Sequence, residues 1–224
     1  MIRDFINLLF PQWCAGCMGT LVSGEQNVCT MCRSDLRISS TYKERPNGIV
    51  SKFYGKIPVE HAFTMFQFTK RGVIQNLLHR IKYGGYYDIG VWLGNLLGTE
   101  IKAEPWISDL NMIVPIPLHK RKLQLRGYNQ SEAFARGLSE AIQIPVEEVI
   151  VKKQHTQSQT RKSRMERWIN VSEIFELSEE KKIEGKNVLL VDDVITSGAT
   201  LEAAGEVLIR GGVSKIYIAT IASA

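Results

Sequence analysis

Two adjacent carboxylates and a turn of small residues lie near the end of the sequence. Asp192 and Asp193 follow the apolar run 188–191, and two further apolar residues separate them from the turn 196–200. Such a turn offers backbone amides and hydroxyls at the start of a predicted helix, where phosphate groups bind. Carboxylates just upstream can accept hydrogen bonds from sugar hydroxyls. The pattern predicts a ribose 5-phosphate site formed by Asp192, Asp193, Thr196, Ser197, Gly198, Ala199 and Thr200.

Two other kinds of site place acidic residues after a buried strand. The magnesium-binding strand of a nucleoside triphosphatase requires a Gly-x-x-x-x-Gly-Lys-Ser/Thr loop, and the sequence contains none. The acidic pocket of a receiver domain forms the start of its domain, so we do not expect it at this position. A purely structural role for the loop is the remaining alternative.

A second cluster of charge lies upstream, between a predicted strand at 111–117 and a predicted helix at 128–142. A basic loop at this position suits pyrophosphate, because a pyrophosphate leaving group gains negative charge as its bond to carbon breaks. An ordinary basic loop would have the same composition. The cations of this loop are Lys120, Arg121, Lys122 and Arg126. The predicted pyrophosphate residues are Arg126, Gly127, Tyr128 and, at a distance that the sequence does not give, Lys82.

The four cysteines of the chain form two Cys-x-x-Cys pairs separated by 11 residues. Four thiolates at this spacing are typical of a closed, tetrahedral structural zinc site. An iron–sulfur cluster and a redox dithiol are the alternatives. Because the surrounding segment is poor in apolar residues, we expect metal binding to fold it. The predicted ligands are Cys14, Cys17, Cys29 and Cys32.

The elements that must position these groups alternate between strands and helices. Strands are predicted at 61–69, 111–117, 146–151, 187–191 and 215–221, and helices at 72–83, 89–101, 128–142 and 200–210. This alternation predicts an α/β fold with a mostly parallel, twisted sheet flanked by helices, whose ligands lie at the carboxyl ends of the strands. We predict a cysteine module at 1–40, a linker at 41–58 and the α/β domain at 59–224. The polar segment 152–170 is predicted to be an exposed loop or a weak helix.

The chain carries a formal net charge of +5, and its 44% hydrophobic and 23% charged residues are ordinary for a globular protein. Residues 118–167 hold eleven Lys and Arg against five Asp and Glu. This excess of positive charge suits binding of a polyphosphate or a nucleic-acid backbone, although a solvated basic face would have the same composition. Neither a signal peptide nor a membrane-inserted helix is expected, which indicates a cytoplasmic protein.

The motifs occur in an order that resembles a known family. They are the paired Cys-x-x-Cys, Lys82-Tyr83-Gly84, Val114-Pro115-Ile116-Pro117-Leu118, Arg126-Gly127-Tyr128-Asn129-Gln130, the segment from Thr156 to Gln159 with Arg161, Arg164, Arg167 and Asn170, and Leu190-Val191-Asp192-Asp193-Val194-Ile195-Thr196-Ser197-Gly198. The chain resembles the ComF (ComFC) competence-protein family, and its run 188–200 resembles the signature of type I phosphoribosyltransferases.

The resemblance implies a zinc finger joined to a type I phosphoribosyltransferase domain that binds 5-phosphoribosyl-1-pyrophosphate with Mg²⁺. It implies that Asp192 and Asp193 bind the ribose 2- and 3-hydroxyls and that residues 196–200 bind the 5-phosphate. Thr196 stands where enzymes for 6-oxopurines have an aspartate, so hypoxanthine and guanine are disfavoured as acceptors. The family also implies a role in natural transformation, with incoming single-stranded DNA and DNA-uptake proteins as partners.

Two functions of different class follow. The first is an enzyme that transfers the phosphoribosyl group to an unidentified acceptor, with Asp192, Asp193 and Arg126 as its catalytic residues. The second is a nucleic-acid-associated competence factor that keeps the ligand site for binding or regulation. Aromatic residues such as Tyr128 and Trp168 among the cations suit single-strand binding. The sequence gives no oligomeric state.

Overall fold

A computed structural model describes residues 11–39, 41, 43–44, 47–68, 72–152, 174–178 and 182–224 of the chain. Of the segment 152–170, which the sequence predicts to be an exposed loop or a weak helix, Lys152 ends β3 and residues 153–170 lie outside the described residues. Its arginines and Trp168 therefore have no structural account here.

The strands in chain order are β1 (His61–Gln67), β2 (Met112–Pro115), β3 (Ile150–Lys152), β4 (Phe175–Leu177), β5 (Asn187–Ile195) and β6 (Lys215–Ser223). Four of them form one sheet in the order β1-β6-β5-β2, and every neighbouring pair is parallel. The strands β3 and β4 form a separate antiparallel pair. The predicted α/β fold with a mostly parallel sheet is confirmed.

The helices in chain order are α1 (Thr30–Asp35), α2 (Val73–Tyr83), α3 (Tyr87–Ile101), α4 (Lys120–Arg126), α5 (Gln130–Ile142) and α6 (Ala199–Arg210). Two 3-10 helices span Val50–Phe53 and Pro105–Asp109. Among the described residues, none of the helices combines the length and the hydrophobicity that crossing a bilayer requires.

The central strand β5 is apolar throughout its first half because both faces of the sheet are covered. Leu189 and Val191 pack in a core cluster with α2, α3 and α5. Val188 and Leu190 pack on the opposite face in a second cluster with α6. The strand is thus enclosed by helices up to Asp192, and its polar end emerges at the carboxyl edge of the sheet.

Helices α3 and α5 cross at very close range. A Cβ atom at Gly94 would collide with the carbonyl of Phe134, and one at Gly137 would collide with the carbonyl of Val91. Glycines are required here because no side chain fits between the two backbones. This crossing fixes the start of α5, which contributes to the candidate site.

The structure differs from the sequence predictions at three elements. The basic loop after β2 is partly helical, as α4. The strand predicted at 187–191 continues to Ile195, so the two aspartates belong to it. The strand predicted at 146–151 is shorter: Val146 makes only an isolated bridge to Ile113, and regular pairing starts at Ile150 with β4, which the sequence analysis did not predict.

Part of the segment predicted to be a linker is buried. Ile49, Val50, Phe53 and Ile57 pack into the α6 side of the core. These four side chains fill the space beside α6, so this part of the predicted linker packs against the α/β domain. The division into domains at 1–40, 41–58 and 59–224 stays a prediction.

Candidate functional site

The two aspartates lie at the carboxyl edge of β5, facing the start of α5. The Asp192 carboxylate accepts hydrogen bonds from the Ser131 hydroxyl at 2.9 Å and from the Asp193 backbone amide at 2.8 Å. Ser131 is itself buried, with 4% of its surface exposed. The orientation of Asp192 is therefore fixed by a neighbouring helix as well as by its own strand.

Asp192 also has an altered acidity. Burial, followed by repulsion from the adjacent Asp193 carboxylate, raises the pKa of Asp192 to about 7. The side chain thus changes charge near neutral pH. A carboxylate that is held without a full counter-charge is a ready acceptor for the hydroxyls of a sugar.

The predicted phosphate turn connects β5 to α6. Gly198 is the N-cap of α6 and has a left-handed backbone, with φ of 84°, which favours glycine. A Cβ atom at this position would also approach Phe53 Cε1 to 3.2 Å. Residues 194–201 line a small pocket with Asp192, and the side chains of Thr196, Ser197 and Thr200 are exposed to it or to solvent.

Lys82 reaches this site from the last turn of α2. Its Nζ lies 3.1 Å from Asp193 Oδ2, and the two side chains are 27% and 15% exposed. The distance of Lys82 from the site does not follow from the sequence, and in the structure its ammonium group lies at the aspartate pair.

Arg126 ends α4 and is directed toward α2. Its guanidinium lies 5.4 Å from the centre of the Tyr83 ring and donates a hydrogen bond to Gln130 Oε1 at 2.7 Å. Gly127 follows with φ of 81° and closes the helix. Arg126 therefore lies beside the residue that follows Lys82 in the chain.

Tyr128 connects the same loop to α2. Its hydroxyl donates a 2.6 Å hydrogen bond to the Ile81 carbonyl, and its ring makes an edge contact with Tyr87 at 5.4 Å. Burial raises the pKa of Tyr128 to about 12, so the phenol keeps its proton. The structure thus places the predicted pyrophosphate residues around the end of α2.

Two lysines at the site were missed by the sequence analysis. Lys52 Nζ donates a 2.7 Å hydrogen bond to the Thr196 carbonyl, across a separation of 144 residues. Lys152 is half-buried at the end of β3, and its pKa is lowered by burial and by nearby Lys122, while Asp192 opposes that shift. No local pattern marks either residue, because their positions depend on how distant elements pack.

The four cysteines converge as their spacing predicts. Their Sγ atoms all lie within 4.8 Å of one another. The Cys17 and Cys29 sulfurs are 3.8 Å apart, which is about the 3.8 Å edge of a tetrahedron with metal–sulfur bonds near 2.3 Å. The geometry and the all-thiol donor set therefore fit one tetrahedral metal ion.

Backbone amides surround the cysteine sulfurs. Cys14 Sγ accepts from the amides of Gly16 at 3.3 Å and Cys29 at 3.2 Å, and Cys17 Sγ accepts from Gly19 at 3.4 Å. Although burial raises it, the amides of Cys29, Cys17 and Gly16 together lower the pKa of Cys14 to about 6. Amides that favour the Cys14 thiolate suit it to binding a cation, whereas burial raises the pKa of Cys32.

The cysteine cluster packs against the first turn of α2. Asn76 Nδ2 donates a 2.6 Å hydrogen bond to the Gly16 carbonyl. A Cβ atom at Gly16 would approach Cys32 Sγ to 2.7 Å and Val73 to 3.0 Å, so the contact is close. Helix α2 therefore touches the cysteine cluster at its start and the aspartate pair at its end.

The chain is similar in sequence to known proteins. The family model for the phosphoribosyl transferase domain matches residues 129–224. Competence protein F of Haemophilus influenzae is 33% identical over 153 residues, which cover 66% of this chain and 67% of that protein. The chain belongs to the ComF family.

Two further known proteins are similar to this ComF-family chain. The DNA utilization protein YhgH of Escherichia coli is 24% identical over 94% of the chain and 96% of its own length. The solved structure of an allosteric regulatory enzyme of purine biosynthesis aligns with a TM-score of 0.45 at 19% identity, covering 64% of this chain and 30% of that one. The match of residues 129–224 to the phosphoribosyl transferase domain and the parallel sheet give this ComF-family chain a phosphoribosyltransferase-type fold, and its four clustered cysteines could hold a metal ion.

Proposed function

We propose that the chain binds 5-phosphoribosyl-1-pyrophosphate with Mg²⁺ at the carboxyl edge of β5. The observation that carries this proposal is the contact of Lys82 with Asp193, which brings a cation to a ribose-type aspartate pair next to the turn 196–200. Asp192 and Asp193 would bind the ribose hydroxyls, and residues 196–200 would bind the 5-phosphate through amides and hydroxyls.

The pyrophosphate would lie toward the end of α2. Lys82 and Arg126 would supply positive charge there, and Gly127 and Tyr128 would shape the loop around it. Mg²⁺ takes oxygen ligands and commonly binds substrate phosphates with one or two carboxylates, so the donor set at this edge fits the ion. Bound there, Mg²⁺ would neutralise pyrophosphate charge.

If the ligand reacts, the bond between ribose C1 and the pyrophosphate oxygen breaks and a nucleophile bonds to C1. Asp192 and Asp193 would hold the ribose, and Arg126 would stabilise the charge that develops on the leaving group. This gives the alternative function, a phosphoribosyltransferase of nucleotide metabolism with an unidentified acceptor. Thr196 argues against a 6-oxopurine in that role.

The family supports a role for the chain in natural transformation, in the cytoplasm, on incoming single-stranded DNA and together with DNA-uptake proteins. The surface of α4 is compatible with that role because it has no buried residue and carries Lys120, Arg121 and Lys122. Asp193→Asn separates the two functions: it should abolish phosphoribosyl transfer, whereas binding of a labelled oligonucleotide should stay near its original strength.

For the cysteine cluster we propose structural Zn²⁺, held by Cys14, Cys17, Cys29 and Cys32 in a module at 1–40, with 41–58 leading to the domain at 59–224. Metal analysis of the purified protein should find about one zinc per chain. Cys17→Ser should lower that content and expose residues 11–36 to proteolysis. Full zinc content in Cys17→Ser, or iron in its place, would contradict the assignment.

The ligand proposal is tested by isothermal titration of the zinc-loaded protein with phosphoribosyl pyrophosphate and Mg²⁺. The matched control is the double variant Asp192→Asn/Asp193→Asn, which keeps the size of both side chains. Binding heat that disappears in the control supports the proposal. If the native protein is folded and gives no heat of binding, the ligand proposal is wrong.

A further inference from the structure

A buried polar side chain, Asn47, helps to anchor the chain between the cysteine module and β1 to the sheet. Asn47 Nδ2 donates to the Ala62 carbonyl at 2.7 Å, and Asn47 Oδ1 accepts from the amides of Ile49 and Val50, both at 3.0 Å. Asn47 is only 5% exposed. These bonds give the 3-10 helix Val50–Phe53 a fixed position relative to the central sheet.

That 3-10 helix rests on the phosphate turn. Phe53 is 1% exposed, and its ring is the group that a Cβ atom at Gly198 would approach. The neighbouring residue Lys52 extends over the turn and donates its 2.7 Å hydrogen bond to the Thr196 carbonyl. An ammonium group has three protons, and this carbonyl accepts one of them.

The phosphate turn has no cation of its own. The run 192–200 contains two acidic residues and no Lys or Arg. A phosphate monoester is close to a dianion at neutral pH, so amides and hydroxyls alone would leave most of its charge uncompensated. A cation from elsewhere in the chain would strengthen binding.

Two lysines of the same segment differ in their partners. Lys56 Nζ lies 2.8 Å from Glu202 Oε2, so its charge is already matched by a carboxylate. The partner of Lys52 in the described structure is a neutral carbonyl of the turn itself. Of these two, Lys52 brings to the turn an ammonium group that is not paired with a carboxylate in the described structure.

We propose that Lys52 binds the 5-phosphate of phosphoribosyl pyrophosphate, donating to a phosphate oxygen while it holds the Thr196 carbonyl. This inference rests on the proposed function, and it assigns a binding role to a segment that the sequence presents as a linker. Lys52 would act on the ribose-phosphate end of the ligand and have no contact with its pyrophosphate.

The experiment compares Lys52→Met with Lys56→Met and Lys52→Arg. Each protein is titrated with ribose 5-phosphate, which carries the 5-phosphate alone, and with inorganic pyrophosphate. Charge-assisted hydrogen bonds contribute enough that losing one weakens binding roughly 10–100-fold. Lys52→Met should show that loss for ribose 5-phosphate and less than a twofold change for pyrophosphate.

The controls distinguish the possible failures. Lys56→Met should bind ribose 5-phosphate like the native protein, and Lys52→Arg should recover much of the lost affinity because it restores the charge. Unchanged ribose 5-phosphate binding in Lys52→Met, or an equal loss in Lys56→Met, would overturn the role of Lys52 alone. Absence of any ribose 5-phosphate binding in the native protein would instead overturn the proposed site. Matching thermal melts show that each variant is folded.

Discussion

The two halves of the candidate site are built in different ways. The ribose-phosphate half is one continuous stretch, residues 192–200, at the end of β5 and the start of α6. The pyrophosphate half is assembled from the end of α2 and from the loop after α4, and consists of Lys82 and residues 126–128. The first depends mainly on local backbone conformation, whereas the second depends on how separate elements pack.

This difference predicts which changes should weaken ligand binding in each half of the site. A change of backbone conformation inside the turn should damage the ribose-phosphate half alone. A change that loosens α2 should damage mainly the pyrophosphate half, because α2 carries Lys82 and Tyr83 and accepts the hydrogen bond from Tyr128, although Lys82 also pairs with Asp193. Ribose 5-phosphate and inorganic pyrophosphate are separate probes for the two halves.

The largest effect is expected from Gly198→Ala. Alanine is strained at φ of 84° and would press on Phe53, which shifts the turn, and a misplacement of about 1 Å can cost roughly 100-fold in a positioned site. We expect a loss of about that size in ribose 5-phosphate affinity by titration, with pyrophosphate affinity unchanged.

Gly212→Ala is the matched control for that variant. Gly212 has φ of 81°, and its added Cβ would come 3.2 Å from Glu184, outside the candidate site. The Gly212→Ala variant should lose about as much thermal stability as Gly198→Ala and keep the native affinity for ribose 5-phosphate. Equal losses of affinity in both variants would show that strain in general, and not the turn, weakens binding.

A smaller effect is expected from Lys82→Met. Removing the cation 3.1 Å from Asp193 should weaken pyrophosphate binding roughly tenfold, which corresponds to about 1.4 kcal/mol. Arg80→Met is the control, because Arg80 lies on the same helix but contacts the Tyr86 ring. If Arg80→Met binds pyrophosphate as weakly as Lys82→Met does, the loss of affinity is caused by the total charge of α2 and not by Lys82 in particular.

Tyr128→Phe should have a weaker effect on the same half. Phenylalanine keeps the ring contact with Tyr87 but loses the 2.6 Å hydrogen bond to the Ile81 carbonyl. The free energy of unfolding by urea should fall by about 1 kcal/mol, and pyrophosphate affinity should fall a few-fold. A large loss of ribose 5-phosphate affinity instead would contradict the assignment of Tyr128 to the pyrophosphate half alone.

The smallest change is a gain in stability from Asp192→Asn. Because the pKa of Asp192 in the folded protein, about 7, lies above its ordinary value of 3.8, the folded protein binds this proton more strongly, and stability falls as pH rises from about 4 to 7. Asparagine at position 192 does not ionise, so this loss of stability does not occur in the variant. Thermal melts should show a gain of roughly 2–4 °C at pH 8 and little gain at pH 4.5. An equal gain at both pH values would exclude ionisation as the cause.

The same contrast explains what the sequence could predict. The strand end and the turn of the proposed ribose-phosphate half were predictable because a buried strand, an acidic pair and a glycine turn are adjacent in the chain. Ser131 and Lys52 were not predictable, because they reach residues 192 and 196 across 61 and 144 positions. Only the three-dimensional packing of α5 and of the segment before β1 brings them there.

Two elements show why short structures escape prediction. Helix α4 has no buried residue and therefore no hydrophobic period, and it is held by its ends: His119 Nδ1 accepts from the Arg121 amide at 3.2 Å, and Gly127 closes it. The strand β4 has three residues and pairs only with β3. The long strands and helices were predicted because each buries a regular apolar face.

The most direct test of the site is a crystal structure of the zinc-loaded protein with phosphoribosyl pyrophosphate and Mg²⁺. We expect the 5-phosphate within hydrogen-bond distance of residues 196–200, the ribose hydroxyls on Asp192 and Asp193, and the pyrophosphate near Lys82 and Arg126. A ligand bound elsewhere, or bound with its pyrophosphate in the turn 196–200, would contradict the assignment of the two halves.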